Sequence, residues 1–115
     1  MHKADSIRLR HMLDAARDAL SFISGKSRAD LDASRMLALS LVKSIEIIGE
    51  AASRVSPDCQ STYAGIPWPE IIGMRNRLIH AYFDINLDIL WRTITEELPP
   101  LIAELEKALS SGEAQ

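Results

Sequence analysis

The sequence predicts an all-α fold, an antiparallel bundle of four to five helices, and three observations predict it. Apolar residues recur at steps of three and four through most of the 115 residues. Only 5 Gly, 5 Pro and 5% aromatic residues are present, too few for the turns and strand surfaces of a β-sandwich or barrel. At 47% hydrophobic and 25% charged, the composition is that of a folded chain. The length suits one domain, residues 1–115, which can hide roughly two-thirds of its unfolded surface.

The first helix is expected over residues 4–23, where Leu9, Leu13, Ala16, Leu20 and Ile23 form one stripe with Met12 and Ala19 alongside. Gly25 is placed to cap its C-terminus. Ser27, with Asp30 three residues on, has the form of a capping box and opens a second helix expected over residues 27–55. Leu37, Leu41, Ile45, Ile48, Ala52 and Val55 make its stripe, and Met36, Leu39, Val42, Ile47 and Ala51 widen it. A surface that broad needs apolar contact on two sides, in a bundle centre or at a dimer interface.

Residues 56–67 concentrate turn formers and form the longest connection, with room for one short helical turn. Pro67, Pro69 and Glu70 suit the start of a third helix, expected over residues 68–81. Residues 83–86 break it, and Asn86 or Asp84 can cap a fourth. Its stripe, Leu90, Ile94, Leu98, Leu101, Leu105 and Leu109, crosses Pro99 and Pro100, where a kink or short break is expected. Residues 110–115 read as a frayed tail, and Trp68 and Trp91 as core anchors.

The single cysteine, Cys59, can form no internal disulfide, and without a His/Cys cluster it makes no zinc site. The chain carries neither an apolar leader nor an 18-residue apolar run, so a cytoplasmic location away from the membrane is expected. Net charge is −3, but residues 1–57 hold nine Lys/Arg against seven Asp/Glu while residues 58–115 hold four against nine. Bulk positive charge therefore cannot drive nucleic-acid binding, and any such partner must meet a local patch.

Residues 75–82 place two arginines, an amide, an imidazole and a phenol in one short stretch. These types suit a phosphodiester substrate. Arg75 or Arg77 could grip phosphate oxygens and stabilise charge developing on them. His80 could move a proton at a ribose 2′-hydroxyl or a leaving 5′-oxygen, a route needing no metal or other cofactor and confined to RNA. Asn76 precedes His80 by four positions and could orient its ring, and Tyr82 lies seven after Arg75, nearly in line on an ideal helix. Arg75 and His80 fall about 140° apart there. Either the helix ends near His80 and the chain turns back, or a second copy completes the site, and the dimer is the preferred reading. Each residue also has a plain structural role: His80 as a hydrogen-bonded residue, Arg77 as an ion-paired one, Tyr82 as a core-edge aromatic. Glu46 and Glu50 suit surface carboxylates or a partner for Arg75 better than general bases.

Arg75-x4-His80-x-Tyr82, with Asn76 after the arginine, resembles the signature of the HEPN superfamily. Together with the Ile45–Ala52 block of the second helix and the block from Trp68 to Asn86, it resembles the HepT branch over nearly the whole chain. The resemblance implies an all-α HEPN fold and a homodimer whose motif helices meet. It also implies a metal-independent endoribonuclease acting as the toxin of a bacterial or archaeal toxin–antitoxin pair. By position, Arg75 and His80 match the catalytic pair and Asn76 the polar residue beside the arginine, with Arg77 supporting. Tyr82 matches the tyrosine to which an MntA-like minimal nucleotidyltransferase antitoxin attaches AMP. The alternative from another class is a non-catalytic subunit that binds a nucleotide or a nucleotidyltransferase.

Overall fold

The computed structural model describes residues 1–80 and 84–113, with His80 and Glu113 described by their backbone alone. Its elements in chain order are α1 (Lys3–Phe22), α2 (Arg28–Ala33), α3 (Arg35–Ser53), α4 (Pro57–Thr62), α5 (Trp68–Ile72), α6 (Met74–Leu78), β1 (Ile79–His80), β2 (Asp84–Ile85), α7 (Leu87–Arg92), a π-helical turn (Thr93–Glu97) and α8 (Leu98–Glu113). The protein is a helical bundle. α1 packs along α3 and α8, and Leu9, Met12, Ala16, Leu41, Ile45, Ile48 and Leu105 between them are wholly buried.

Sequence explains most boundaries. α1 ends at Phe22, and Gly25 takes φ +73° in the turn beyond, a left-handed conformation that glycine adopts at no steric cost. Ser27 N–H donates to Asp30 Oδ2 at 2.6 Å, forming the expected capping contact of α2. The expected 27–55 helix, however, is broken at Ser34, which is extended at φ −133°, ψ 100° and whose hydroxyl accepts from Leu37 N–H. A serine that caps a new helix with its own side chain competes with continuing the old one. All six residues of the second-helix stripe are buried, and so are Val42 and Ala51. Met36 is 78% exposed and Leu39 and Ile47 are exposed too, so among the described residues part of the widened face has no second neighbour.

α4 is the short helix in the 56–67 connection, capped by Ser56 with Pro57 in its first turn. Cys59 lies on it, buried, and burial raises the thiol pKa, as does nearby Asp5. Trp68 is an anchor as expected, its Nε1–H donating to the carbonyls of Gln60 and Tyr63.

The expected 68–81 helix is corrected twice. It divides at Gly73, and it ends at Leu78, because Ile79 is extended at φ −105°, ψ 117°. From there the chain doubles back, Ile79 pairing with Ile85 and His80 with Asp84, while Asn86 N–H donates to the Leu78 carbonyl at 2.7 Å. Asn86 then caps α7 through its side chain.

The kink expected at Pro99–Pro100 is replaced by a widened turn just before it, with Leu98 N–H donating to the Thr93 carbonyl five residues back. The stripe explains this. Leu90 to Leu109 spans 19 residues over five turns, one more than the roughly 18 of a regular α-helix. The wide turn absorbs the surplus, and all six stripe residues are buried. Thr93 and Thr95 hydroxyls donate to the Ile89 and Trp91 carbonyls and support the loosened turn. Of the tail expected over residues 110–115, residues 110–113 belong to α8, with Gly112 buried near Met1 and Tyr63, and residues 114–115 lie outside the described residues. No helix among the described residues is long and apolar enough to cross a membrane.

Candidate functional site

α6 is only five residues long, and its position is fixed by Met74 and Leu78, four apart and both wholly buried. That leaves Arg75, Asn76 and Arg77 on the solvent side. α5 and α6 lie against α3 at Gly49. A Cβ there would sit 3.3 Å from the Ile72 carbonyl oxygen and 3.5 Å from that of Ile71, so the missing side chain permits the close approach.

One turn before Gly49, Glu46 meets the motif. Arg75 Nε donates to Glu46 Oε1 at 2.8 Å, with side chains 50% and 33% exposed. The sequence reading of Glu46 as a partner for Arg75 holds. The carboxylate takes one edge of the guanidinium, and among the described residues the terminal nitrogens meet no other carboxylate, so they remain available to an incoming anion. Glu50 is engaged by Arg54 at 2.8 Å.

Arg75 and Asn76 line the same groove, about 980 Å³ in volume, whose walls are the outer faces of α1 and α3. α1 contributes Ala4, Ile7, Arg8 and His11, α3 contributes Lys43, Glu46, Ile47 and Glu50, and Arg54 follows at the C-terminus of α3. Four Arg/Lys side chains against two glutamates make it locally positive on a chain of net charge −3. Arg8 and Arg54 also border an adjoining hollow of about 740 Å³ that contains Asp5 and Ser56. There Asp5 accepts from the Ser56 N–H at 2.9 Å and hydroxyl at 2.7 Å. Burial opposes the Asp5 charge, but those hydrogen bonds, with His2 and Arg8 nearby, outweigh it and hold the carboxyl below 3.8.

Sequence reasoning missed Arg8, His11, Lys43 and Arg54 as neighbours of the motif. The signal was present in positions 4, 7, 8 and 11, which share one face of an α-helix opposite the leucine stripe. Arg77, expected to support Arg75, is outside the groove and donates to Glu97 Oε1 of the wide turn at 3.0 Å.

His80 follows α6 by two residues in β1, and its side chain lies outside the described residues, as does Tyr82 entirely. Because Ile79 is extended, the helical spacings that linked Asn76 to His80, and Arg75 to Tyr82, do not apply. The 140° offset of Arg75 from His80 likewise gives no support to a dimer, since the chain takes the other alternative and turns back. Among the described residues no group of three His, Cys, Asp or Glu side chains is placed to hold a metal ion.

Residues 12–108 match the family described as Ribonuclease HepT-like. A protein of Caldanaerobacter subterraneus subsp. tengcongensis provisionally named an RNase is 36% identical over 101 residues, covering 88% of this chain and 90% of its own. A provisionally named RNase of Methanocaldococcus jannaschii is 32% identical over 98 residues, 85% of this chain and 90% of its own. A protein of Thermococcus cleftensis named probable ribonuclease HepT is 40% identical over 67 residues, 58% of this chain and 61% of its own. No solved structure matches significantly.

Proposed function

The chain belongs to the HepT-like ribonuclease family, and from that premise we propose that it is an endoribonuclease toxin that cuts RNA by attack of a ribose 2′-hydroxyl on the adjacent phosphate. The observation that carries this reading is Arg75: it stands in a positively lined groove, steadied through Nε by Glu46, with its terminal nitrogens available. In the proposed reaction Arg75 binds the scissile phosphate and stabilises its developing charge. His80 moves the proton, the new bond forms between the 2′-oxygen and phosphorus, and the 5′-oxygen leaves protonated. Asn76 lines the groove beside Arg75 and positions the substrate. Arg77 contacts a flanking phosphate after exchanging it for Glu97.

The same reading makes the protein a homodimer through the motif helices and α3, where Met36, Leu39 and Ile47 of α3 and Ile72 of α5 are exposed apolar side chains for a second copy to cover. It makes Tyr82, two residues after His80, the site where a cognate nucleotidyltransferase attaches AMP. The bulk and negative charge so added would keep RNA from Arg75.

The test is cleavage of a labelled RNA in EDTA by the wild type, Arg75→Ala and His80→Ala. Wild-type products ending in 2′,3′-cyclic phosphate or 3′-phosphate, with both variants inactive, are expected. Cleavage of all-DNA, or loss of wild-type activity on chelation, contradicts the mechanism. Light scattering reads the dimer. Incubation with the partner nucleotidyltransferase, ATP and Mg²⁺ followed by peptide mass analysis reads Tyr82, and AMP found on another residue overturns that assignment.

A further inference from the structure

Resting on the ribonuclease reading, we infer that Arg8 and His11 of α1 form a second phosphate-binding position, which holds a backbone phosphate of the RNA strand next to the one at Arg75. The two residues are three apart on one face of the helix, Arg8 half-buried and His11 exposed, and line the same groove as Arg75 and Asn76.

Charge distinguishes them from the other cations there. Arg75 is engaged by Glu46, Arg54 by Glu50, and Lys43 lies 3.9 Å from Glu46. Arg8 instead donates to the Ala4 carbonyl of its own helix, and among the described residues neither it nor His11 is ion-paired with a carboxylate. Asp5, three residues before Arg8, feels its charge but has both oxygens hydrogen-bonded by Ser56 and forms no ion pair with it. A guanidinium whose charge no carboxylate contacts, beside an imidazole that can donate from the next turn, suits a phosphate diester better than a carboxylate.

A strand gripped at Arg8 and Arg75 together is bound by at least two phosphates, so substrates too short to reach Arg8 should bind weakly and yet be cut at the normal rate once bound. Arg8 and His11 are positioning residues that act on binding. They take no part in proton transfer.

The experiment compares wild type, Arg8→Gln, His11→Gln, the double variant and Arg8→Lys, all as the full chain, using a fluorescent RNA 12-mer and a dinucleotide. His11 is exposed and Arg8 half-buried near Asp5, so a thermal melt of each variant accompanies the kinetics, which are compared at a temperature where all are folded. For the 12-mer, KM is expected to rise roughly tenfold in the double variant with kcat unchanged, while dinucleotide kinetics stay at the wild-type values. Arg8→Lys should recover part of the loss. The slope of log affinity against log salt should flatten by about 0.7, the share of one phosphate on a single strand. Equal 12-mer KM values in wild type and double variant, or a fall in kcat alone, overturn the inference.

Anisotropy binding of the same 12-mer separates this inference from the ribonuclease reading. Wild-type binding that weakens in the double variant supports the second position even if no RNA is cut, in which case the cleavage reading fails alone. Wild-type cleavage with no difference between the variants sinks the second position alone. Absence of wild-type binding overturns both.

Discussion

Gly49→Ala tests how the site is built. In a helix interior alanine is favoured over glycine by about 1 kcal/mol, so an unconstrained position would be stabilised by that amount. Here the new methyl would stand 3.3 Å from the Ile72 carbonyl oxygen and 3.5 Å from that of Ile71, and both obstacles are backbone. Overpacking of this kind costs about 1–3 kcal/mol. Taking about 2 kcal/mol and subtracting the propensity gain leaves a net loss of about 1 kcal/mol, or a melting point lowered by roughly 4 °C. The strain relaxes by α5 moving away from α3, which carries α6 and Arg75 away from Glu46. RNA cleavage at 25 °C should therefore fall several-fold although nearly all of the protein remains folded. Urea unfolding followed by circular dichroism, with cleavage measured on the same samples, reads both effects. A variant that melts higher by the full propensity gain and cuts RNA normally would refute the reasoning.

Three further outcomes are expected. Glu46→Gln should change stability by less than about 1 kcal/mol because the pair is half-exposed, while tightening RNA binding and lowering kcat as Arg75 loses its charged support. Unchanged kcat would remove Glu46 from the site. Asp5→Ala should cost roughly 2 kcal/mol at pH 7 by leaving the Ser56 donors unmatched. Since the folded Asp5 pKa is lowered, its stabilisation is present above 3.8 and is lost as pH falls through the folded value. The gap between the wild type and the variant should narrow as pH falls below 3.8 in denaturant titrations, and a gap that does not narrow there contradicts this. Leu41→Ala, at a wholly buried position, should cost about 2–5 kcal/mol as a lower urea midpoint with unchanged slope.

What the sequence revealed depended on the range of the interaction responsible. The leucine stripes of α1, α3 and α8 were legible because burial repeats every turn, and the caps at Ser27 and Asn86 because their partners are three residues away. The end of α6 stood between two alternatives, because it depends on Ile79 and His80 pairing with Ile85 and Asp84, which no helical periodicity encodes. The break at Ser34 was a choice between two local conformations that the apolar pattern spans equally well. Of the site, Arg75 with Glu46 was foreseen from residue type, whereas the wall made by Arg8 and His11 required knowing which face of α1 stands against α3.

The wide turn at Thr93–Glu97 has a consequence for how chains of this kind can change length. Losing Thr95 or Glu96 would let a regular helix run from α7 into α8 and leave Leu90 and Leu109 18 positions apart, which is five whole turns. Leu101, Leu105 and Leu109 would therefore stay on the face buried with Leu90 and Ile94. A single deletion here is absorbed locally, whereas one in the regular part of α8 would rotate the leucines beyond it by about 100°. Related chains without the extra residue should show their leucines spread over 18 positions in place of 19, a difference visible in a comparison of sequences.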